Sequence, residues 1–405
     1  MTTRYLELAQ QHATGVMLSD TALRFVALTQ HKESIVPDAY AELVVPQGSI
    51  VNGKIVDKSR FIAFLKASKK AYKLEHVNLV LNSPQIQTFS LSVKGAGPLY
   101  IKEAVEKEFG LPSKDIVYDY NVIGADEKST VLQATAIPKS ISQEFVTAFK
   151  QAGITILSIE SIGHALSRDL LPVHFRGAAL IISIDTFTTS ITYIVGGRVS
   201  QTTLIQFGDA MITDVLMEKL SIDINEADRL KREQGLITRD SRKVFDSIVG
   251  DYATLVDLIN ESYISWKKAH GALSHLEVVY LSGQGSIVKG LDEYLAAGLR
   301  LPVQLGNVWG NCLSFDEYVP VMPRHIAIRF DAAIGSALVG QHMTNLIPNG
   351  HAQHLRRKHV ARLSGKIVLS FIFGVVVGIA VSILIAIFGL NTRIVEILHK
   401  IPTRW

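Results

Sequence analysis

Ala178-Ala-Leu-Ile-Ile-Ser-Ile184, running straight into Asp185-Thr186-Phe187-Thr188-Thr189-Ser190, decides how the rest of this chain is read. The near-continuous apolar run fits a strand covered on both faces, as in the centre of an α/β sheet. A strand that ends in Asp followed by small hydroxyl residues recurs where a nucleotide phosphate tail is held through Mg²⁺. The Asp takes metal-bound water and the turn amides reach the phosphates. Downstream, Val278–Leu281 is a second apolar strand and runs into Gly283-Gln284-Gly285-Ser286, a turn that allows close backbone approach to a ligand. Either motif alone is more often just a turn; their order and spacing raise the signal.

The segments around them alternate in type. Ser190–Val195 and Val199–Ile205 flank Gly196-Gly197 and predict a hairpin. Ala210–Leu220 predicts a helix, and Asn225 is a candidate cap for Glu226–Gln234, with Gly235 as the stop. Tyr252, Leu255, Val256, Ile259, Tyr263 and Trp266 fall at helical spacing, a core-facing stripe. Leu291–Leu299 predicts a helix and Pro302–Leu305 a strand. Upstream, Gly15–Leu18 and Arg24–Leu28 read as paired strands, a helix lies within Ile50–Lys73, and Val77–Leu81 is a strand. Helices Ile101–Phe109 and Ile141–Gln151, the latter capped by Ser140, fall among strands Phe89–Val93, Ile116–Val122 and Val131–Ile137. Together they predict an α+β unit inserted into a larger α/β pattern.

Composition narrows the function classes. The 405 residues are 48% hydrophobic and 19% charged, which excludes intrinsic disorder, and one cysteine, Cys312, excludes a disulfide scaffold and Cys-based zinc or redox motifs. The net charge of +4 is unevenly spread. Residues 341–405 hold eight Lys and Arg against one acid, Glu396, which leaves residues 1–340 at −3 and argues against nucleic acid as a partner. Ile367 to Leu390 is a run of 24 residues without a charge. About 20 apolar residues span a bilayer core as a helix, so the expectation is a C-terminal transmembrane helix. Arg356, Arg357, Lys358, Arg362 and Lys366 precede it and only Arg393, Lys400 and Arg404 follow, which predicts a cytoplasmic N-terminal side. His342, His351, His354 and His359 match no metal-ligand spacing and read as part of a basic linker.

With these residues in view, the chain resembles the PilM family of type IV pilus assembly, actin-like proteins related to FtsA. Gly15-Val-Met17-Leu-Ser19-Asp20 aligns with the family's first phosphate segment, usually Gly-Ile-Asp-Ile-Gly-Ser. Val51-Asn-Gly53-Lys-Ile-Val-Asp57, Ala104-Val-Glu-Lys-Glu-Phe-Gly-Leu-Pro112, Tyr118-Asp-Tyr-Asn-Val-Ile123 and Ala152-Gly-Ile to Ile159-Glu160-Ser carry the family's core and insertion. Ile184-Asp185-Thr186 aligns with the second phosphate segment and Phe207-Gly208-Asp209 with the Gly-Gly turn. Ala227-Asp228-Arg-Leu-Lys231 aligns with the segment beside the nucleotide ribose, Gly283-Gln284-Gly285-Ser286 with the adenosine segment, and Ile334-Gly335-Ser-Ala-Leu338 with the last core helix. The resemblance implies a ribonuclease H-like duplicated, actin-like α/β core over residues 10–86 and 158–340, with residues 87–157 inserted. Beyond it come a linker over 341–366, a transmembrane helix over 367–390 and a short extracytoplasmic tail over 391–405. It assigns nucleotide binding to Ser19, Asp185, Thr188, Thr189, Gly208, Asp228, Lys231, Gly283, Gly285, Ser286 and Gly335, with Asp185 as the Mg²⁺ position through water.

Four departures bear on that site. Met17 stands where the family has Asp, Thr186 and Asp209 where Gly is usual, and Gln284 in place of the central Gly. A thioether cannot hold metal-bound water, so the expectation is ATP or ADP with Mg²⁺ bound weakly or not at all, and no catalytic residue is assigned. Thr344-Asn345-Leu346-Ile347-Pro348 resembles the Ile-Asn-Leu-Leu-Pro segment with which PilN docks on PilM, which implies a docking motif at Asn345, Leu346, Ile347 and Pro348. Two apolar side chains, an Asn for backbone hydrogen bonds and a Pro that pre-extends the chain suit docking. The expected role is a structural adaptor at the inner-membrane platform of a type IV pilus-like machine. Its expected partners are platform proteins, its own or a neighbour's motif, and further copies of itself. A GspL-like type II secretion component and an active actin-like ATPase or filament former are the alternatives. No Gly-x-Ser-x-Gly, Walker A or His-Glu-x-x-His motif occurs, and His164, His174, His270 and His275 read as ordinary core or surface histidines.

Overall fold

The computed structural model describes residues 13–348, apart from 33, 95–97, 126–129, 239–240, 271–274, 314–321 and 339–343. Two sheets repeat one plan. In the first, β1 (Thr14–Leu18), β2 (Ala22–His31) and β3 (Ser34–Val44) form an antiparallel meander. A small ribbon, β4 (Ile50–Val51) and β5 (Lys54–Ile55), follows. The helix Lys58–Tyr72, capped by the Asp57 carboxylate on the Arg60 N–H, leads to β6 (His76–Leu81). β6 runs parallel to β1, and β10 (Thr155–Ser161) runs parallel to β6 at the sheet's edge. In the second sheet β11 (Ala178–Ile184), β12 (Thr189–Val195) and β13 (Arg198–Ile205) make the same meander, and β14 (Val278–Ser282) and β15 (Val303–Leu305) the same parallel pair. The orders β3-β2-β1-β6-β10 and β13-β12-β11-β14-β15 are equivalent, so the core is a duplicated α/β unit. This is the actin-like fold expected from the sequence.

Between the duplicated halves' strands, β7 (Gln87–Val93), β9 (Thr130–Pro138) and β8 (Ile116–Ala125) continue the second sheet beyond β13. The helix Pro98–Phe109 packs on them, with Ile101 and Val105 joining Phe89, Ile116 and Leu132 in a separate small core. The helix Lys139–Gln151 leads from β9 into β10.

β11 shows why its sequence lacks alternation. Ala179 and Ile181 face one core while Leu180, Ile182 and Ile184 face another, since successive side chains point to opposite sides. The first of these cores lies between the sheets, where helices Ile162–Leu170 and Asp331–Ala337 are buried with Met17, Val26 and Val80. The second lies under the helices Asp209–Leu220, Ile224–Glu233 and Arg242–His270, whose Tyr252, Leu255, Val256, Ile259 and Trp266 form the expected apolar stripe. The Trp266 indole stacks on Tyr193 at 4.7 Å. Gly196 and Gly197 take positive φ of 59° and 75° in the hairpin between β12 and β13.

Local expectations are corrected at two helix starts and at one helix that was not expected. Asp223, not Asn225, caps Ile224–Glu233, accepting from the Glu226 N–H at 2.9 Å. Lys139–Gln151 begins after Pro138 rather than on a Ser140 cap, because the rigid proline φ presets the turn. The helix Ile162–Leu170 escaped the sequence reading. The expected membrane-crossing helix is also corrected. Among the described residues, no helix is long and apolar enough to cross a membrane. Residues 367–390, on which that expectation falls, lie outside the described residues, as do 349–366 and 391–405. The single-pass inner-membrane placement rested on that helix and is set aside with it.

Candidate functional site

The first hairpin of each meander closes through an equivalent four-residue turn. Leu18 pairs with Leu23, and the Ser19 N–H donates to the Ala22 carbonyl. Ile184 pairs with Thr189, and the Asp185 N–H donates to the Thr188 carbonyl. The repeat therefore sets Met17 equivalent to Ser183, and Asp185 equivalent to Ser19. Asp185 is the first residue of the turn, one place beyond the strand end.

Arg24 is the residue the sequence reading missed. It pairs with Met17 on β2 and is 1% exposed. Its Nη1 lies 2.8 Å from Asp185 Oδ1, and its Nη2 lies 3.1 Å from Glu42 Oε1 and 3.0 Å from Gln284 Oε1. Asn82 Nδ2, at the end of β6, is 3.4 Å from Asp185 Oδ2 and 3.4 Å from Thr188 Oγ1. Burial disfavours the Arg24 charge, but Asp185 and Glu42 outweigh it and hold the pKa above the usual guanidinium value. Burial likewise works against the Asp185 carboxylate, and Arg24 overcomes it, keeping its pKa below the ordinary value. The signal available in the sequence is a lone charge inside an apolar strand, which demands a buried acid.

A second cluster lies across the same cleft. Lys231, 3% exposed, donates from Nζ to Asp209 Oδ1 at 2.8 Å, Thr213 Oγ1 at 2.6 Å and Asp228 Oδ1 at 2.8 Å. Gln284 Nε2 is 3.4 Å from Asp209 Oδ2, so Gln284 joins the two clusters. Asp331, behind the turn, accepts from the Gly283 N–H at 3.1 Å and from Ser282; burial pushes its pKa up to about 6. Gly283 has φ +79°, and a Cβ there would fall 2.4 Å from the Ile184 carbonyl oxygen. Ser286 closes that turn with Oγ on the Gly283 carbonyl, and Gly285 packs on the Ile184 side chain. Gly208 lies against the backbone of Thr186 and Phe187, and Thr189 Oγ donates to the Phe207 carbonyl at 2.8 Å. Ser19 and Thr188 line a cavity of about 230 Å³ with Asp20, Asn82, Thr186 and Phe187. Asp228 and Lys231 line another of about 110 Å³ with Gln284, His325 and Arg329.

Most of the expected nucleotide residues are thus gathered at one cleft. Gly335 is not. It sits where the helix Asp331–Ala337 crosses Ile162–Leu170, and a Cβ there would fall 2.0 Å from the Ala165 carbonyl oxygen. Among the described residues no cluster of three or more His, Cys, Asp or Glu is arranged to hold a metal ion.

The segment 344–348, expected as a docking motif, is the second feature. Thr344, Leu346 and Ile347 are 2%, 0% and 1% exposed. The segment lies along the edge strand β10: the Leu346 N–H donates to the Ile159 carbonyl at 2.8 Å. The Asn345 side chain works like a stretch of backbone. Its Oδ1 accepts from the Ile159 N–H at 3.3 Å and the Ile347 N–H at 3.1 Å, and its Nδ2 lies 3.4 Å from the Leu157 carbonyl. Leu157 is available because the β10–β6 register shifts there, a bulge that turns one residue out of the ladder. Asp119 of β8 accepts from the Asn345 N–H at 3.0 Å, and Ser142 Oγ donates to the Leu346 carbonyl at 2.6 Å. Pro348 ends the described segment. The expected Asn-Leu-Ile-Pro motif is therefore seated on its own chain, in a groove made by β8, β10 and the helix Lys139–Gln151.

Comparison with known proteins bears on both features. The family model for the type IV pilus assembly protein PilM matches residues 15–340. Among solved structures, the PilM-PilN type IV pilus biogenesis complex shares 20% sequence identity with a TM-score of 0.65, covering 81% of this chain and 98% of that chain. The ethanolamine utilization protein EutJ from Carboxydothermus hydrogenoformans shares 15% with a TM-score of 0.48, covering 81% and 89%. The cytoplasmic domain of EpsL, an inner membrane component of the type II secretion system of Vibrio cholerae, shares 9% with a TM-score of 0.32, covering 52% and 76%. At these identities a likeness shows the fold alone, and the last two are too distant to carry an argument.

Proposed function

The chain belongs to the family of the type IV pilus assembly protein PilM, and from that premise we propose that it is a non-enzymatic structural adaptor of a type IV pilus-like assembly machine. In this reading the groove of β8, β10 and Lys139–Gln151 is its docking surface, and residues 344–348 are a tethered copy of the peptide that such a groove receives. The observation that carries the reading is the burial of Leu346 and Ile347 together with the backbone pairing of Leu346 to Ile159. Strand addition to a sheet edge gives affinity through main-chain hydrogen bonds and specificity through side-chain pockets. One solved structure of this fold is a complex of PilM with PilN, which supports a partner-receiving groove as the working surface.

A tethered peptide meets its groove at an effective concentration of about millimolar. An incoming partner peptide must therefore compete with it, and exchange of the segment between neighbouring copies would build a homo-oligomer. ATP or ADP with Mg²⁺ has no essential part in this role and binds weakly or not at all. The test is complementation of cells lacking the chain. Type IV pili are expected to return with the unaltered chain and with Asp228→Asn, and to fail with the groove variant Asp119→Ala combined with Ser142→Ala. Pili restored by the groove variant and lost with Asp228→Asn would contradict the proposal.

A further inference from the structure

The fold family implies a Mg²⁺-nucleotide between the two lobes, and the residues present do not fit one. Met17 and its internal equivalent Ser183 supply no carboxylate at the paired strand positions. Of the acids at the turns, Asp20 has both carboxylate oxygens on the Asn52 and Gly53 N–H groups, and Asp185 has Oδ1 taken by Arg24 and Oδ2 facing Asn82. The side chains that line or crowd the cleft carry four cations, Arg24, Lys231, Arg232 and Arg329, against five carboxylates, Asp20, Glu42, Asp185, Asp209 and Asp228. That balance is already slightly negative, so a polyphosphate gains nothing on entry. The cavity at Ser19 and Thr188 and the one at Gln284 and Lys231, about 230 and 110 Å³, fall below the ~300–1,000 Å³ usual for small-molecule sites.

The same residues that exclude a nucleotide make a continuous bar across the cleft. Glu42 on β3 and Arg24 on β2 belong to the first sheet's half; Asp185, Gln284, Asp209 and Lys231 belong to the second. Arg24 reaches both Asp185 and Gln284, Gln284 reaches Asp209, and Asp209 holds Lys231. Two of the departures from the family pattern, Asp209 and Gln284, are members of this bar, and a third, Met17, lies opposite Arg24 in register. The substitutions therefore compensate one another.

We propose that Arg24, with Gln284 and Asp209, replaces the Mg²⁺-nucleotide as the bridge between the lobes, a built-in cation that holds the cleft closed in the absence of any ligand. This rests on the cleft alone and deepens the view that nucleotide is dispensable; it does not depend on the groove or its partner. The consequence is an adaptor with one lobe arrangement, whatever the nucleotide supply.

The test is an inter-lobe distance in the full chain, measured by pulsed electron spin resonance with labels at Val56→Cys and Ile224→Cys, both exposed, while the native Cys312 is buried. Expected is one narrow distance that millimolar Mg-ATP and Mg-ADP leave unchanged. Gln284→Gly, which removes one of the two contacts Arg24 makes across the cleft and the link to Asp209 while sparing the Arg24–Asp185 pair, is expected to add a second, longer distance, and Arg24→Gln a larger share of it. A distance that shifts with Mg-ATP in the otherwise unaltered chain overturns the proposal. So does a single unchanged distance in Gln284→Gly, a variant that retains every buried ion pair and therefore folds even where Arg24→Gln does not. Loss of pilus assembly with these distances as expected would speak against the adaptor role and leave the bridge standing.

Discussion

Leu346→Ala should release the docked segment while leaving the core intact. The side chain is fully buried, so its truncation carries the cost of a large-to-small change in a closed site, about 2–5 kcal/mol. Among the described residues, the hydrogen bonds between groove and segment are confined to this site: the Leu346–Ile159 pair, the Asn345 bonds to Leu157, Ile159 and Asp119, and the Ser142 bond. The cost therefore falls on local opening rather than on global unfolding. Taking about 3 kcal/mol, the ratio of docked to free segment falls by about two powers of ten. Native-state amide exchange reads this directly. Protection of the Leu346 and Ile347 amides should drop by about that factor, while the amides of β11, in the centre of the second sheet, exchange as before. Unchanged protection at Leu346 would refute the anchoring role of its side chain. An equal loss in β11 would show that the segment is part of the global core and cannot act as a releasable ligand.

Three further predictions follow from buried groups. Asp185→Asn leaves Arg24 short of its main counter-charge and should cost about 3–5 kcal/mol, as removal of one partner of a buried pair does; chemical denaturation measures it, and a change near zero would contradict the pairing. Gly335→Ala forces a methyl against the Ala165 carbonyl and should destabilise by about 1–3 kcal/mol or more, visible as a lower melting temperature. His164, enclosed by Gln133 and Ser161, is pushed down to about 3 by burial and then by Arg168. The unfolded chain binds its proton near pH 6.5, so stability falls as pH drops from that value towards 3. Asp331, raised to about 6, acts in the opposite direction. His164→Gln should therefore flatten the acid side of the stability profile; a slope as steep as before would rule His164 out as its cause.

The parts of this fold legible in the sequence are those whose residues carry their own instruction. β11 announced itself by apolar residues on both faces, the β12–β13 hairpin by Gly196-Gly197, and the helix Leu291–Leu299 by its amphipathic run. β10 and the helix Ile162–Leu170 did not. Their buried faces include Ser161, His164 and Asp169, polar residues whose burial depends on partners distant in the chain. The site divides in the same way. Asp185, Gly283 and Lys231 are recognisable by motif, and they do meet at one cleft. Arg24 is invisible as a site residue until Asp185 and Gln284 are brought to it from 161 and 260 positions away. Residues 345–348 stood out in the sequence as a distinct peptide, whereas the groove they occupy, assembled from Asp119, Ser142, Leu157 and Ile159, has no signature in any single stretch.

The central claim, a groove filled by the chain's own segment and open to a peptide of the same kind, is tested most directly by fluorescence anisotropy. A labelled peptide bearing Thr-Asn-Leu-Ile-Pro is titrated against the full chain and against the full chain with Leu346→Ala. The account predicts weak binding to the unaltered chain and clearly tighter binding once the tethered competitor is weakened. Equal binding to both, or none to either, would contradict it.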